Sequence, residues 1–281
     1  DATCGQRALY DVGMTGIPIF NVNNNCSTGS TALYLARQAV EAGVADCALA
    51  LGFEQMVSGA LGYAFPDRPA PLERFTHEAE TAYPDQKAPM AIQLFGGAGL
   101  EYQQKYGARN ETFARITEKA RRHAAHNERA IFRQPVTVEE VLASPRMFGN
   151  LTRLQCCPPT CGAAAAVVVS ERYARKHGLD ANVAIAAQAL TTDTLSTFDE
   201  HSMIKVVGYD MSKAAAQQVY AQAGIGPQDV DVVELHDCFT TNELISYEAL
   251  GLAPEGGAEQ FVWDGDNTYG GQFVTNPSGG L

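Results

Sequence analysis

An apolar run, a turn that carries a cysteine and a helix opening just behind it occur in that order twice in this chain. In the first instance residues 17–22 are apolar and partly β-branched, Asn25-Cys26-Ser27 make the turn, and residues 30–42 set Leu33, Ala36 and Val40 at helical spacing. In the second, residues 230–235 read as a strand, Asp237-Cys238-Phe239 as the turn, and residues 241–250 as a helix closed by Gly251. The alternation continues through an apolar run at 46–53, a strand at 163–169 that passes into a helix ending near Gly178, a strand at 182–190, and a helix at 211–223. That last helix has Asp210 or Ser212 as its N-cap and Gly224 past its end. Strands alternating with helices predict an α/β fold with a mostly parallel sheet covered by helices, and the repeated unit suggests two related halves. Between the halves, residues 58–89 are rich in Pro, Gly and charge, and two helices at 90–106 and 110–128 follow, so this stretch reads as an insertion.

Composition narrows the function classes. With 281 residues the chain suits one large α/β unit or about two domains, and 46% hydrophobic with 19% charged residues is ordinary for a folded protein. The formal charge of −12 disfavours nonspecific attraction to nucleic acid or an anionic membrane. No apolar stretch nears the roughly 20 residues a membrane helix needs, so no membrane span is expected. Nothing near Asp1 has the form of a targeting signal, and the flexible run Pro277-Ser278-Gly279-Gly280 precedes the last residue, so the chain reads as a piece of a longer protein. Seven cysteines, an odd number in a chain this large, fit a reducing compartment. Cys156-Cys157-x-x-x-Cys161 lacks the second ligand pair of a zinc site and reads as a buried turn leading into a strand, so no metal is expected.

One stretch reverses the acidic balance. Arg109, Arg115, Lys119, Arg121, Arg122, Arg129 and Arg133 face only Glu111, Glu118 and Glu128, so 7 of 20 basic residues fall together. Two readings stay open: a solvated helix face, or a surface that holds a phosphorylated ligand, with Arg121 and Arg122 as the candidates to contact its phosphates.

A cysteine between a strand end and a helix start meets the positive end of the helix dipole, which favours its thiolate. Cys26 stands there, with the small residues Ser27, Gly29 and Ser30 leaving room for a substrate and backbone N–H groups able to serve an oxyanion. The alternative is a buried thiol acting as a small hydrophobe. The second turn brings His236, Asp237 and Cys238 together at the carboxyl end of a strand, where open α/β sheets place ligands. His236 can donate to a polarised carbonyl and Cys238 can move a proton; the alternatives are a helix cap and a core residue. The remaining histidines, His77, His123, His126, His177 and His201, lie in polar stretches and are expected on the surface.

The run from Asn21 through Asn25-Cys26-Ser27-Thr28-Gly29-Ser30 resembles the nucleophile motif of thiolases, in the form of the sterol-carrier-protein type. Glu234-Leu235-His236-Asp237-Cys238-Phe239, Gly265-Asp266-Asn267-Thr268-Tyr269-Gly270-Gly271 and Asn276-Pro277-Ser278-Gly279-Gly280-Leu281 resemble further motifs of that family in the same order, and His-Asp-Cys-Phe stands where most thiolases have Asn-Glu-Ala-Phe. The resemblance implies a thiolase fold: two related βαβ halves with mixed five-stranded sheets, layered α-β-α-β-α, and an inserted loop domain. The corresponding division is 1–57 and 151–180 for the N-terminal half, 58–150 for the insertion and 181–281 for the C-terminal half.

It also implies that Cys26 is the acyl-accepting nucleophile, that His236 contributes to an oxyanion hole, and that Cys238 transfers protons. The implied activity is that of an acyltransferase: thiolytic cleavage of a 3-oxoacyl-CoA by CoA, a cosubstrate, with no cofactor and with release of acetyl-CoA or propanoyl-CoA. A steroid side-chain aldolase without a covalent step, and a noncatalytic acyl-CoA or lipid-binding relative, are the alternatives. The family continues past Ser-Gly-Gly-Leu into a Gly-His-Pro motif whose histidine activates the nucleophile, so this chain alone is expected to be inactive. A homodimer, an attached lipid-carrier domain, and a cytoplasmic (bacterial) or peroxisomal matrix (eukaryotic) location complete the expectations.

Overall fold

The structure is a computed structural model that describes residues 3–59, 62, 65–85 and 88–281. Its backbone contacts divide the chain into two units, Asp1–Ala60 with Pro159–Leu190, and Leu61–Pro158 with Thr191–Leu281.

In the first unit the Ala- and Val-rich run Gly162–Val169 pairs with Cys47–Glu54, from Cys47 opposite Val169 to Glu54 opposite Gly162. The pairing is antiparallel, which corrects the mostly parallel sheet expected here. The chain leaves this unit after residue 60 and re-enters it at Pro159, so the connection is no simple βαβ crossover and does not impose a parallel course. Helix Thr28–Glu41 lies against the strand Cys47–Glu54, and Gly29 and Gly52 let the two backbones approach. A Cβ on Gly52 would stand only 3.3 Å from the Cα of Gly29, so a larger side chain would push the helix off the strand. Helix Glu171–His177 starts at Ser170, whose Oγ accepts the Tyr173 N–H at 3.1 Å, and ends at Gly178 with φ of 62°.

Residues 17–22 and 182–190, expected as strands, carry no ladder. Their composition favours extended backbone, but a strand is stabilised by cross-strand neighbours, and no described strand pairs with either. Ile17, Phe20, Val183 and Leu190 are accordingly exposed. The five-stranded sheets implied by the resemblance are represented among the described residues by two-stranded ladders.

The second unit is mostly helical. Met90–Tyr106 forms a helix as its spacing predicts, and Gly96, Gly97 and Gly99 let neighbours close on it: a Cβ at these positions would come within 2.5 Å of Phe148, 2.9 Å of Tyr83 and 2.9 Å of Thr241 respectively. Helix Asn110–Ala124 stops short of the expected 128 and turns Phe113, Ile116, Lys119 and His123 inward. Helix Thr240–Ala249 buries Leu244, Ile245 and Tyr247 against Leu94, Tyr102, Met203, Phe261 and Phe273, the core of this unit. Helix Tyr209–Ala223 opens after Gly208, with φ of 97°, rather than at Asp210 or Ser212, and closes at Gly224. The strand expected at 230–235 is reduced to Val232–Val233, which runs parallel to Val274–Thr275.

Candidate active site

Cys26 stands one residue ahead of Ser27, the N-cap of the 14-residue helix Thr28–Glu41, and is exposed. The turn is built by short polar side chains. Asn25 takes the left-handed φ of 47°, which asparagine tolerates better than most residues. Ser27 Oγ donates to the Asn24 carbonyl at 2.8 Å, Thr28 Oγ1 to the Asn25 carbonyl at 2.7 Å, and Thr31 Oγ1 to the Ser27 carbonyl at 2.9 Å. In return Asn24 N–H donates to Thr28 Oγ1 at 2.9 Å, and Asn24 Nδ2 to Thr31 Oγ1 at 3.1 Å. Hydroxyls of the helix's first turn thus fix the loop that presents the thiol at the positive end of the dipole.

In the second unit, His236-Asp237-Cys238-Phe239 link Val232–Val233 to helix Thr240–Ala249. The Asn242 amide donates to the His236 carbonyl at 2.5 Å and closes the turn. Cys238 is buried; its carbonyl accepts the Cys157 N–H at 2.9 Å, and Phe239 lies opposite Cys156 in an antiparallel bridge while stacking on Phe95 at 4.9 Å. Cys156 is the inert member of this group: burial and the neighbouring Cys157 push its thiol up to about 12. The protein around His236 takes solvation from its imidazolium and lowers its pKa, so the ring is neutral at pH 7 and keeps one N–H to donate. Asp237 is pushed up to about 6 by burial and then by Glu243, partly opposed by the Leu281 N–H and Lys119.

Beneath the turn lies a buried polar cluster. Lys119 forms an ion pair with Glu243 and donates to Thr275 Oγ1 at 2.7 Å, and both charged side chains are almost fully enclosed. Tyr247 also donates to Glu243, and Asn267 Nδ2 donates to the Tyr247 hydroxyl at 3.0 Å. His123 donates from Nδ1 to the Asn276 carbonyl at 2.9 Å and accepts at Nε2 from Thr268 Oγ1 at 2.7 Å; a carbonyl can only accept, which sets the tautomer. Burial lowers its pKa, in keeping with a neutral ring.

His123 is therefore a correction to the surface position expected for it. Its polar surroundings in sequence misled, yet Phe113, Ile116, Lys119 and His123 follow one another at three- and four-residue steps, the spacing of one helix face. The basic stretch that Lys119 and His123 belong to is largely engaged within the protein. Arg109 pairs with Glu259 at 2.5 Å, the guanidiniums of Arg109 and Arg115 each lie 3.8 Å from the Trp263 ring centroid, and Arg121 lies 4.4 Å from that of Phe132. Arg122 donates to Thr268 Oγ1 at 3.2 Å. Of the predicted site residues, His236 and Cys238 share one turn and Arg121 and Arg122 share a helix of the same unit, while Cys26 belongs to the other unit.

Among the described residues no three His, Cys, Asp or Glu side chains converge as a metal cage, and no helix is long and apolar enough to cross a membrane.

Comparison with known proteins agrees with the motifs. Residues 1–172 match the family profile "Thiolase, N-terminal domain" and residues 193–281 the profile "Thiolase C-terminal domain-like". The chain is 54% identical to "Sterol carrier protein 2" of Rattus norvegicus and 53% identical to that of Homo sapiens, each over 283 residues covering 100% of this chain and 52% of the relative. It thus spans about half the length of these relatives. "Benzoylsuccinyl-CoA thiolase subunit BbsB" of Thauera aromatica is 37% identical over 279 residues, 99% of this chain and 69% of that protein. Among solved structures, a chain of the "Ltp2-ChsH2(DUF35) aldolase" superposes with a TM-score of 0.73 at 26% identity, covering 100% of this chain and 71% of that one. The chain belongs to the thiolase family and has the thiolase fold.

Proposed function

We propose that this chain carries the reacting residues of an acyltransferase that cleaves 3-oxoacyl-CoA with CoA through a cysteine acyl-enzyme. The observation that carries the reading is Cys26, an exposed thiol at the N-terminus of a 14-residue helix, in a turn fixed by its own hydroxyls. Its thiolate attacks the 3-oxo carbon. The resulting alkoxide collapses, the bond between C2 and C3 breaks, and the acyl group stays on Cys26 sulfur while the electron pair leaves as the enolate of acetyl-CoA or propanoyl-CoA. The neutral His236 ring donates to the enolate oxygen, and the Cys238 thiol delivers the proton to carbon. The Cys238 thiolate then takes the proton of incoming CoA, whose thiolate attacks the acyl-enzyme and expels Cys26. The name "Sterol carrier protein 2" borne by the longer relatives supports a sterol-derived acyl chain as substrate and a sterol-carrier segment elsewhere in the full protein.

The test is to mix the full-length enzyme with a 3-oxoacyl-CoA without CoA, quench within milliseconds and map the acyl group by mass. It is expected on Cys26. In the Cys238→Ala enzyme, acylation by a reactive thioester is expected to persist while thiolysis slows by roughly 10²–10⁴-fold, the usual contribution of a positioned acid/base. Near-normal deacylation in that variant would remove the proton-transfer role.

The structural likeness to an aldolase favours a second reading, carbon–carbon cleavage without a covalent step. Retention of both Cys26 and Cys238 argues against it, and the absence of any acyl group on Cys26 during turnover would establish it.

For the nucleotide end of CoA we propose Arg121 and Arg122. Arg122→Ala is expected to raise the KM for CoA by roughly tenfold, the value of one charged hydrogen bond, with little change for a pantetheine thioester that lacks the nucleotide. Equal effects on both would assign Arg122 to holding Thr268 instead.

A further inference from the structure

The two strands that end at the candidate site run side by side, yet their backbone ladder stops early. Val274 N–H donates to the Asp231 carbonyl at 3.0 Å and Asn276 N–H to the Val233 carbonyl at 2.8 Å. The next donors in a parallel ladder are the N–H groups of Leu235 and Ser278. Asn276, at φ of 47°, turns its chain out of strand conformation, and Pro277 has no N–H to give. Side chains continue the pairing instead. Leu235 N–H donates to Asn276 Oδ1 at 2.8 Å. Ser278 donates twice to the Glu234 carboxylate, from N–H to Oε1 and from Oγ to Oε2, each at 2.8 Å. Leu281 N–H donates to Asp237 Oδ1 at 2.9 Å.

We propose that Glu234 and Asp237 are positioning residues that clamp residues 278–281 to the turn and so hold His236 and Cys238 in their working directions. Asp237 lies between those two residues in sequence, so whatever fixes its side chain fixes the backbone that aims both neighbours. The far side of the clamp is equally tight. Asn127 Nδ2 donates to the Ser278 carbonyl at 2.9 Å, a Cβ on Gly279 would strike Ala124 backbone, and a Cβ on Gly280 would fall on the Asp237 carboxylate. Glycine at φ of 100° and 73° is what lets the run pass between them.

The clamp is maintained against folding stability. Asp237 titrates near 6 in the folded protein, above its ordinary 3.8. Its stabilising share is therefore full below the unfolded value and is lost as pH rises through about 6, so at neutral pH the charged carboxylate opposes folding. Glu243, on the helix that follows the turn, adds to that cost; Lys119, on helix Asn110–Ala124, and the Leu281 N–H offset part of it.

This assignment rests on the roles given above to His236 and Cys238. Its test uses the full-length enzyme with Asp237→Ala, Asp237→Asn and Glu234→Gln, reading backbone amide exchange of residues 278–281, kcat and KM for thiolysis, and the acylation of Cys26. Asp237→Ala is expected to speed exchange in that run by about tenfold, the loss of one charge-assisted hydrogen bond. It is expected to lower kcat by roughly 10–10²-fold through misplacement of the reacting groups, with KM little changed. Asp237→Asn retains an acceptor oxygen and is expected to recover most of both effects, so it keeps the test alive if the alanine variant does not fold. Glu234→Gln keeps only one of the two acceptor oxygens that Ser278 uses and is expected to fall between wild type and Asp237→Ala in both exchange and kcat. Faster exchange with unaltered kcat would overturn the proposal, leaving a structural clasp, as would an asparagine variant no better than alanine. Failure of the wild-type enzyme to acylate Cys26 would instead overturn the functional reading.

Discussion

Replacing Cys26 by alanine is expected to lower thiolysis by roughly 10⁴–10⁶-fold, the range seen when a covalent nucleophile is removed from a hydrolase. No other group of that turn can replace it: Ser27, Thr28 and Thr31 hydroxyls are all donating within the turn and have reference pKa values far above a thiol. The fold is expected to survive, because Cys26 is exposed and the bonds that shape its loop belong to its neighbours. Steady-state kcat and a thermal scan on the same preparation check both halves. The measurement also separates the two chemistries: an aldolase that cleaves without an acyl-enzyme would keep carbon–carbon cleavage in the Cys26→Ala protein, whereas the covalent route loses it to the same extent as thiolysis. Substantial residual thiolysis would remove Cys26 from its role.

The local parts of this architecture were legible from the chain. Met90–Tyr106 has the bounds that its spacing predicts, and the helix behind Cys26 opens where Ser27 and Thr28 provide short-range hydrogen bonds. Both cysteine turns could be read because their determinants, Asn25, Ser27 and Thr28 in one and Asn242 with His236 in the other, lie within a few residues of each other. What was not legible depends on partners far away in sequence. Residues 17–22 and 230–235 have equally strand-like compositions, but only Val232–Val233 meets a neighbour, and Asn276 and Pro277 end even that pairing. The polar residues under the turn illustrate the same point. His123 donates to the carbonyl of Asn276, 153 positions away, and Lys119 finds Glu243 at a separation of 124. A charge count along the chain reads Lys119 as one more member of a basic stretch; only the helical step from Phe113 and Ile116 indicates that it turns inward.

That inward turn leads to the second large effect, which concerns stability. Lys119→Met leaves the Glu243 carboxylate inside the protein without its cation, held only by Tyr247 and Thr275, while its second oxygen, Oε2, is buried with no hydrogen-bond partner even in the intact protein. Removing one member of a buried pair costs about 3–5 kcal/mol, because the remaining charge is uncompensated. The lysine and glutamate side chains are only 3% and 0% exposed, so water cannot screen the loss. The pair joins helix Asn110–Ala124 to helix Thr240–Ala249, so its loss is expected to loosen Thr275 and the turn above it along with the helices. The double variant Lys119→Met/Glu243→Gln is expected to regain most of that stability, since the amide carries no charge and still accepts from Tyr247. Because the chain has two units, a single denaturation midpoint can mix their transitions, and amide exchange in helix Thr240–Ala249 is the cleaner readout. If the single variant exchanges there as slowly as wild type, the ion pair is not what holds these helices together; if the double variant is no better than the single one, the uncompensated charge is not the cause of the loss.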